Sequence, residues 1–256
     1  MKRSYGMIAA ILSAAILSLS GCQRDDRPLH ARIADAMYHD HFDPQWEHLV
    51  ERYGEEEFTV DPKDTTGGIY SPRFEMWVNL FWDESEKTYR DNYITYLRQE
   101  ELIQLLDAAF GDILGQDDYK IYALPYLYCP PSFNRDTTAQ ELLEVSEITN
   151  DILVQTEIYT TKDPAGQEDD LLAIQEAIQS RGWSLYVDIE YIPKQHLDLI
   201  PENKRGDPYD GGMPTTVLQK EFYYYRATAY IRPDSFEWSM HEGWRIGAAQ
   251  GSPEIP

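Results

Sequence analysis

Cys22 is the residue whose surroundings say most about its chemistry. It follows Leu19, Ser20 and Gly21, behind an apolar run from Met7 to Leu19 and a basic tip of Lys2 and Arg3. A basic tip, an apolar stretch and small residues before a cut site make a secretory signal, and this stretch is short for a bilayer-spanning helix. His39 and His41, with Asp40, Asp43 and His48 nearby, have the donor types of a metal site. Two imidazoles two residues apart converge on one ion only from extended backbone; on a helix they point about 200° apart. Asp43 is expected to cap the next helix, so the segment reads as a helix–helix junction. His241-Glu242 begins like a zinc-protease helix, but Arg245 stands where the second histidine belongs. Asp207, Asp210, Gly211 and Gly212 lack the terminal glutamate of a calcium loop, since Gln219 and Lys220 stand near its place. Arg205-Gly206-Asp207 spells an adhesion tripeptide that chains of this length carry by chance. No phosphate-binding glycine loop and no nucleophile elbow occurs, so no cofactor is expected and no residue is nominated as catalytic.

The Leu19-Ser20-Gly21-Cys22 box resembles the lipobox of bacterial lipoproteins. That resemblance implies a diacylglyceryl group on the Cys22 thiol and cleavage that leaves Cys22 as the first mature residue. It also implies a place on the outer face of the cell membrane. Each buried methylene contributes about 0.8 kcal/mol, so two or three acyl chains hold a protein firmly. Residues 1–21 are then the signal peptide, and residues 22–42 comprise the lipidated cysteine, a polar tether and a weakly patterned helix.

The chain carries 22 Lys and Arg against 45 Asp and Glu, a formal charge of −23. Removing residues 1–21 takes away Lys2 and Arg3 and no acid, which leaves −25. Such a chain repels phosphate backbones and anionic headgroups, so nucleic acid is excluded as a partner. Hydrophobic residues at 42% and aromatic residues at 13% argue for a folded core rather than disorder. Cys129 is the one cysteine besides Cys22, so the mature chain has no internal disulfide, and without His or Lys beside it in sequence the thiol reads as buried and inert.

The hydrophobic pattern predicts an α+β fold, helices packed on a mixed or antiparallel sheet, in halves at 43–148 and 149–256. Asp43 as cap, Pro44 as first helical residue and Gly54 as left-handed stop delimit a short helix. Residues 73–82 read as one strand, with Phe74, Met76, Val78, Leu80 and Trp82 on one face and Trp77 and Phe81 on the other. Residues 58–61 are expected to pair with it across the Thr65-Thr66-Gly67-Gly68 turn. The strongest pattern is a helix over 92–114, capped by Asp91 and stopped by Gly115. A strand over 119–128 follows, with Pro125 marking an edge or bulge, then a helix over 137–148. The second half offers a strand over 151–161 and a helix capped by Asp169 or Asp170 and closed by Gly182. A strand with Trp183, Leu185, Val187, Ile189 and Tyr191 on one face comes next. A turn-rich loop at 201–214 precedes an aromatic strand over 221–231.

The segment from Tyr53 to Val60, Tyr-Gly-Glu-Glu-Glu-Phe-Thr-Val, with Asp91-Asn92-Tyr93 beyond it, resembles a diffuse group of Gram-positive (Firmicutes) lipoproteins. Those carry a helix ending in Tyr-Gly-Glu-Glu-Phe, a β-hairpin, and an Asp-Asn-Tyr that opens a helix. This chain has one extra glutamate before Phe58. The resemblance implies the cytoplasmic membrane of such a cell and no catalytic activity. Alternation along the aromatic strand puts Tyr223 and Tyr225 on one face, opposite Phe222, Tyr224 and Tyr230. Tyr223, Tyr225, Trp238 and Trp244 are the candidate binding residues, since such rings pair an apolar body with a polar tip. The expected role is a non-enzymatic envelope protein that binds a protein or glycan. A transport receptor for a small ligand or metal, and a hydrolase using paired carboxylates, are the alternatives.

Overall fold

The computed structural model describes residues 42–60, 68–115, 119–144, 151–198, 200 and 223–244. The described residues from 45 to 244 belong to one compact unit. The signal segment, Cys22, the helix expected before Tyr38, His39, His41, the 201–214 loop and Phe222 lie outside the described residues. The fold is α+β.

A helix over 42–53 (α1) opens the described chain. Phe42 is already helical, so Asp43 sits inside the helix and not at its cap. Gly54 ends it as expected, with its N–H on the Val50 carbonyl at 2.9 Å, but at φ 96 and ψ 147 it is in an extended region open to glycine, not the left-handed helical one. The extra glutamate is absorbed in a 3-10 turn, Glu55–Glu57.

Strand β1 (Thr59–Val60) pairs with β2 (Ile69–Ser71), and β2 pairs with β3 (Met76–Trp77). The single strand expected over 73–82 is therefore two. Residues 72–75 are a turn with Glu75 at φ 55, and β4 (Leu80–Asp83) leaves β3 to form a separate hairpin with β5 (Thr88–Asp91). Phe74 and Val78 are buried as the alternation predicts, while Trp82 is exposed.

The long helix also breaks, into α2 (Tyr93–Leu97) and α3 (Gln99–Leu114). Arg98 at the joint sends Nε to the Thr137 carbonyl at 2.7 Å and a second nitrogen to that of Arg135. Leu102, Leu106, Phe110 and Leu114 make the buried stripe of α3, and Gly115 ends it. Full burial of such a side chain contributes about 1.5–3 kcal/mol, enough to keep this face inward.

A five-stranded sheet holds β6 (Tyr119–Pro125), β7 (Val154–Thr160), β8 (Leu185–Tyr191), β9 (Tyr223–Arg232) and β10 (Ser235–Trp244), in the spatial order β10-β9-β8-β7-β6. A short helix, α4 (Ala139–Glu144), lies between β6 and β7; in this sheet only β7 and β8 run parallel, joined through helix α5 (Gln167–Gln179). Helix α5 spans Gln167–Gln179, so Asp169 and Asp170 lie in its first turn and do not cap it. The cap upstream is Asp163, which accepts the Ala165 N–H at 2.9 Å at the start of a 3-10 turn. Pro125 lies on edge strand β6, where a missing donor is tolerated.

Helices α3 and α5 pack together on one face of this sheet, over β6 and β9. The Tyr191 hydroxyl donates to Asp170 of α5 at 3.1 Å. Lys162 ties the same aspartate to the C-terminal turn of α3, through the Ile113 carbonyl at 2.7 Å.

Candidate binding face

Register fixes what each face of the sheet carries. On the helix side lie Leu185, Val187 and Ile189 of β8, opposite Ile231, Ala229 and Ala227 of β9, all buried. Tyr225 shares that side, opposite Tyr191. Trp238 is paired with Ala229, and Trp244 with Tyr223. Cross-strand partners point the same way, so Tyr225 and Trp238 belong to the helix side. Tyr225 is half-buried there, and Trp238, on edge strand β10, is 43% exposed beside Phe236, ring centroids 6.4 Å apart. The Tyr223 and Trp244 side chains lie outside the described residues.

The other face has a different chemistry. One row across the five strands reads Tyr122, Glu157, Asp188, Thr228, Ser239, and the next reads Leu124, Gln155, Tyr186, Tyr230, Glu237. Glu157, Asp188 and Glu190 are buried and engaged. Arg226 grips Asp188 with two nitrogens, Nε at 2.8 Å, and Glu157 accepts from Gln155 at 3.1 Å and from the Tyr159 hydroxyl at 2.9 Å. The Asp188 hydrogen bond holds the Arg226 guanidinium even more firmly protonated than usual. At the other end of this face Tyr122 and Tyr159 are covered by Ile192, Leu197 and Ile200.

Three rings gather on the same face. Tyr126, just past β6, stacks on Tyr186 at 4.9 Å and 23°, Tyr186 meets Tyr230 at 4.8 Å, and the hydroxyls of Tyr126 and Tyr230 join at 3.1 Å. Tyr230 is 37% exposed and the other two are less so, partly buried. Burial, then the Asp188 charge, pushes the Tyr186 hydroxyl up to about 12, so it stays a donor. Beside the triad, Thr228 and Ser239 share a hydroxyl contact of 2.9 Å. The strand alternation did separate Tyr230 from Tyr225. The clue to which side stays open was Ala227, Ala229 and Ile231, small and apolar residues in phase with Tyr225. Tyr126 and Tyr186 had no local signal.

A second cluster is buried. Asp91 is fully inaccessible; it accepts the Tyr53 hydroxyl at 2.7 Å, the Tyr93 N–H at 2.9 Å and an Arg52 N–H at 3.1 Å. His48 Nε2 lies 3.0 Å from its Oδ2, and a carboxylate there requires that nitrogen to carry the hydrogen. Burial pushes the Asp91 carboxyl up, but the hydrogen bonds from His48 and Tyr53 and the Arg52 charge outweigh it and set it below the ordinary range. Burial and then the Asp91 charge push the Cys129 thiol far up, and its backbone N–H donates to the Asp91 carbonyl at 2.7 Å. His48 is thus a hydrogen-bonding partner within the core. Among the described residues no three His, Cys, Asp or Glu side chains are arranged to hold a metal, and no helix is long and apolar enough to cross a membrane.

Comparison of the chain with protein-family models, with curated proteins and with solved structures gives no match.

Proposed function

We propose that this chain is a lipoprotein, held by lipid on Cys22 at the outer face of a cell membrane, and that its sheet binds a protein or glycan of the envelope without chemical conversion. The sequence from Lys2 to Cys22 supports the anchor. The observation that carries the binding role is the Tyr126–Tyr186–Tyr230 triad, an accessible aromatic group on a sheet face whose buried carboxylates are engaged by neighbours. Rigid tyrosines with protonated tips are the residues that dominate binding energy at interfaces. Asp188 tied by Arg226 and Glu157 tied by Tyr159 and Gln155 fit a structural frame better than an acid–base pair.

The test is crosslinking on intact cells from a photoreactive phenylalanine at position 230, with the same group at Trp77 as the control. The proposal expects a discrete adduct from position 230 and none from position 77. Equal labelling from both positions, or none from either, contradicts it.

A further inference from the structure

We infer that β10 pairs edge to edge with β10 of a second copy of this chain, antiparallel about a twofold axis at Trp238. The inference does not rest on the binding role proposed above. The two edges of the sheet differ. On β6, helix α2 packs alongside, Gln99 Nε2 donates to the Ala123 carbonyl at 2.8 Å, and Pro125 has no N–H to offer. Strand β10 is 10 residues long and holds no proline, and among the described residues no strand but β9 pairs with it.

Only Pro233 and Asp234 separate Arg232 from its cross-strand partner Ser235, and the pair flanking a two-residue loop is hydrogen-bonded. Hydrogen-bonded and open pairs alternate along an antiparallel ladder. Ser235, Glu237 and Ser239 therefore turn their main-chain groups to β9, whereas Phe236, Trp238 and Met240 turn theirs outward. Such an outer row of N–H and C=O groups is a template for a further strand.

The side chains choose the occupant. With the axis at Trp238, Phe236 comes opposite Met240 of the second copy, Trp238 opposite Trp238, and Glu237 opposite Ser239. The first two pairs continue the apolar helix side across the join, and the third sets a charge against a hydroxyl. An axis at Glu237 makes two carboxylates face each other, and one at Ser239 brings Phe236 opposite Glu242. Strand β10 thus supplies its own complement, as an isologous interface requires. Asp234 and Glu237 are exposed near the join, and Arg232 on β9 shares the tyrosine side with Glu237. The charge of −23 on each copy opposes approach at long range, but salt at physiological strength screens it beyond about 8 Å.

The experiment is sedimentation equilibrium of the full chain in density-matched detergent, beside Met240→Pro, with bismaleimide crosslinking in membranes as its second arm. Proline at 240 removes an outward N–H and leaves the pairing with β9 in place. The parent is a dimer that added salt strengthens, and Met240→Pro sediments as a monomer at the same concentration. Ser239→Cys, about 7–8 Å from its counterpart across the axis, gives an adduct of double mass. Leu172→Cys, exposed on α5, gives none. A monomeric parent, a dimer indifferent to Met240→Pro, or equal crosslinking from positions 239 and 172 overturns the inference. Crosslinking from position 239 to a different protein, without the adduct of double mass, overturns it in favour of a foreign strand. If Met240→Pro loses its cooperative thermal transition, the crosslinking arm decides alone.

Discussion

The Tyr53 hydroxyl donates to Asp91 Oδ1 at 2.7 Å, and through this bond the end of α1 is tied to the start of α2. The tie is doubled by Tyr93, whose hydroxyl donates to Glu57 at 2.9 Å and accepts from Ser71 at the same distance. The rings of Tyr53, Phe58 and Tyr93 close the cluster, with Tyr93 at 5.1 Å from Tyr53 and 4.8 Å from Phe58. The two segments that look like lipoprotein motifs in the sequence are thus halves of one buried contact. Removing the carboxylate strands Arg52 and His48, and breaking a buried pair in this way costs about 3–5 kcal/mol. Tyr53→Phe deletes one hydrogen bond and costs about 1–2 kcal/mol. Urea unfolding of Asp91→Ala and Tyr53→Phe is expected to rank them in that order.

Acid sensitivity follows from the same carboxylate. Its value in the folded chain is below the ordinary one, so its contribution is complete above the unfolded value of about 3.9 and is lost as pH falls through the lower folded value. Asp91→Asn removes that dependence. Thermal midpoints measured from pH 6 down to pH 2 should fall less steeply for Asp91→Asn than for the parent chain; parallel curves would mean that other groups govern acid unfolding.

Gly54 and Gly115 have nearly the same backbone, φ 96 and 88 with ψ 147 and 144, a region that other residues enter at a cost of about 1–3 kcal/mol. A Cβ at Gly115 meets open space, whereas one at Gly54 meets the Glu56 carboxylate at 2.5 Å. That carboxylate is the end of a flexible chain, and its pair with Arg135 is exposed and worth little. Gly54→Ala and Gly115→Ala are therefore expected to lower stability by amounts within about 0.5 kcal/mol of each other. Chemical denaturation of the two variants measures the difference.

Cys129 is fully buried beside Thr95 Oγ1 at 3.9 Å, with its thiol held far from ionisation. Since the thiolate is the reactive form, iodoacetamide at pH 8 should leave Cys129 unmodified in the folded chain and alkylate it once the chain is unfolded in urea. Mass spectrometry after each incubation reads this directly, and rapid alkylation of the native chain would contradict the packing described.

The elements with strong internal periodicity were legible in the sequence. The stripe from Leu102 to Leu114 and its Gly115 stop, the alternation of Leu185 to Tyr191 and the α+β arrangement all rest on local patterns that tertiary contacts reinforce. The misreadings occurred where distant groups decide. Arg98 breaks the long helix because carbonyls of Arg135 and Thr137 lie within its reach. Val78 donates to the Ile69 carbonyl at 2.8 Å instead of carrying β3 on into β4. Asp163 takes the capping role expected of Asp169 or Asp170, since a 3-10 turn precedes α5. The triad was the hardest to see: Tyr126, Tyr186 and Tyr230 come from three separate stretches and meet only when β6, β8 and β9 share one sheet.

The most direct test of the account is the intact mass of the chain extracted from the membranes of cells that express it, beside Cys22→Ser. The account predicts a mature protein that begins at Cys22 and carries a diacylglyceryl group, and a variant that lacks the lipid. A protein with its leader intact and a free Cys22 thiol, or one cleaved elsewhere without lipid, would contradict the anchor on which the proposed role depends.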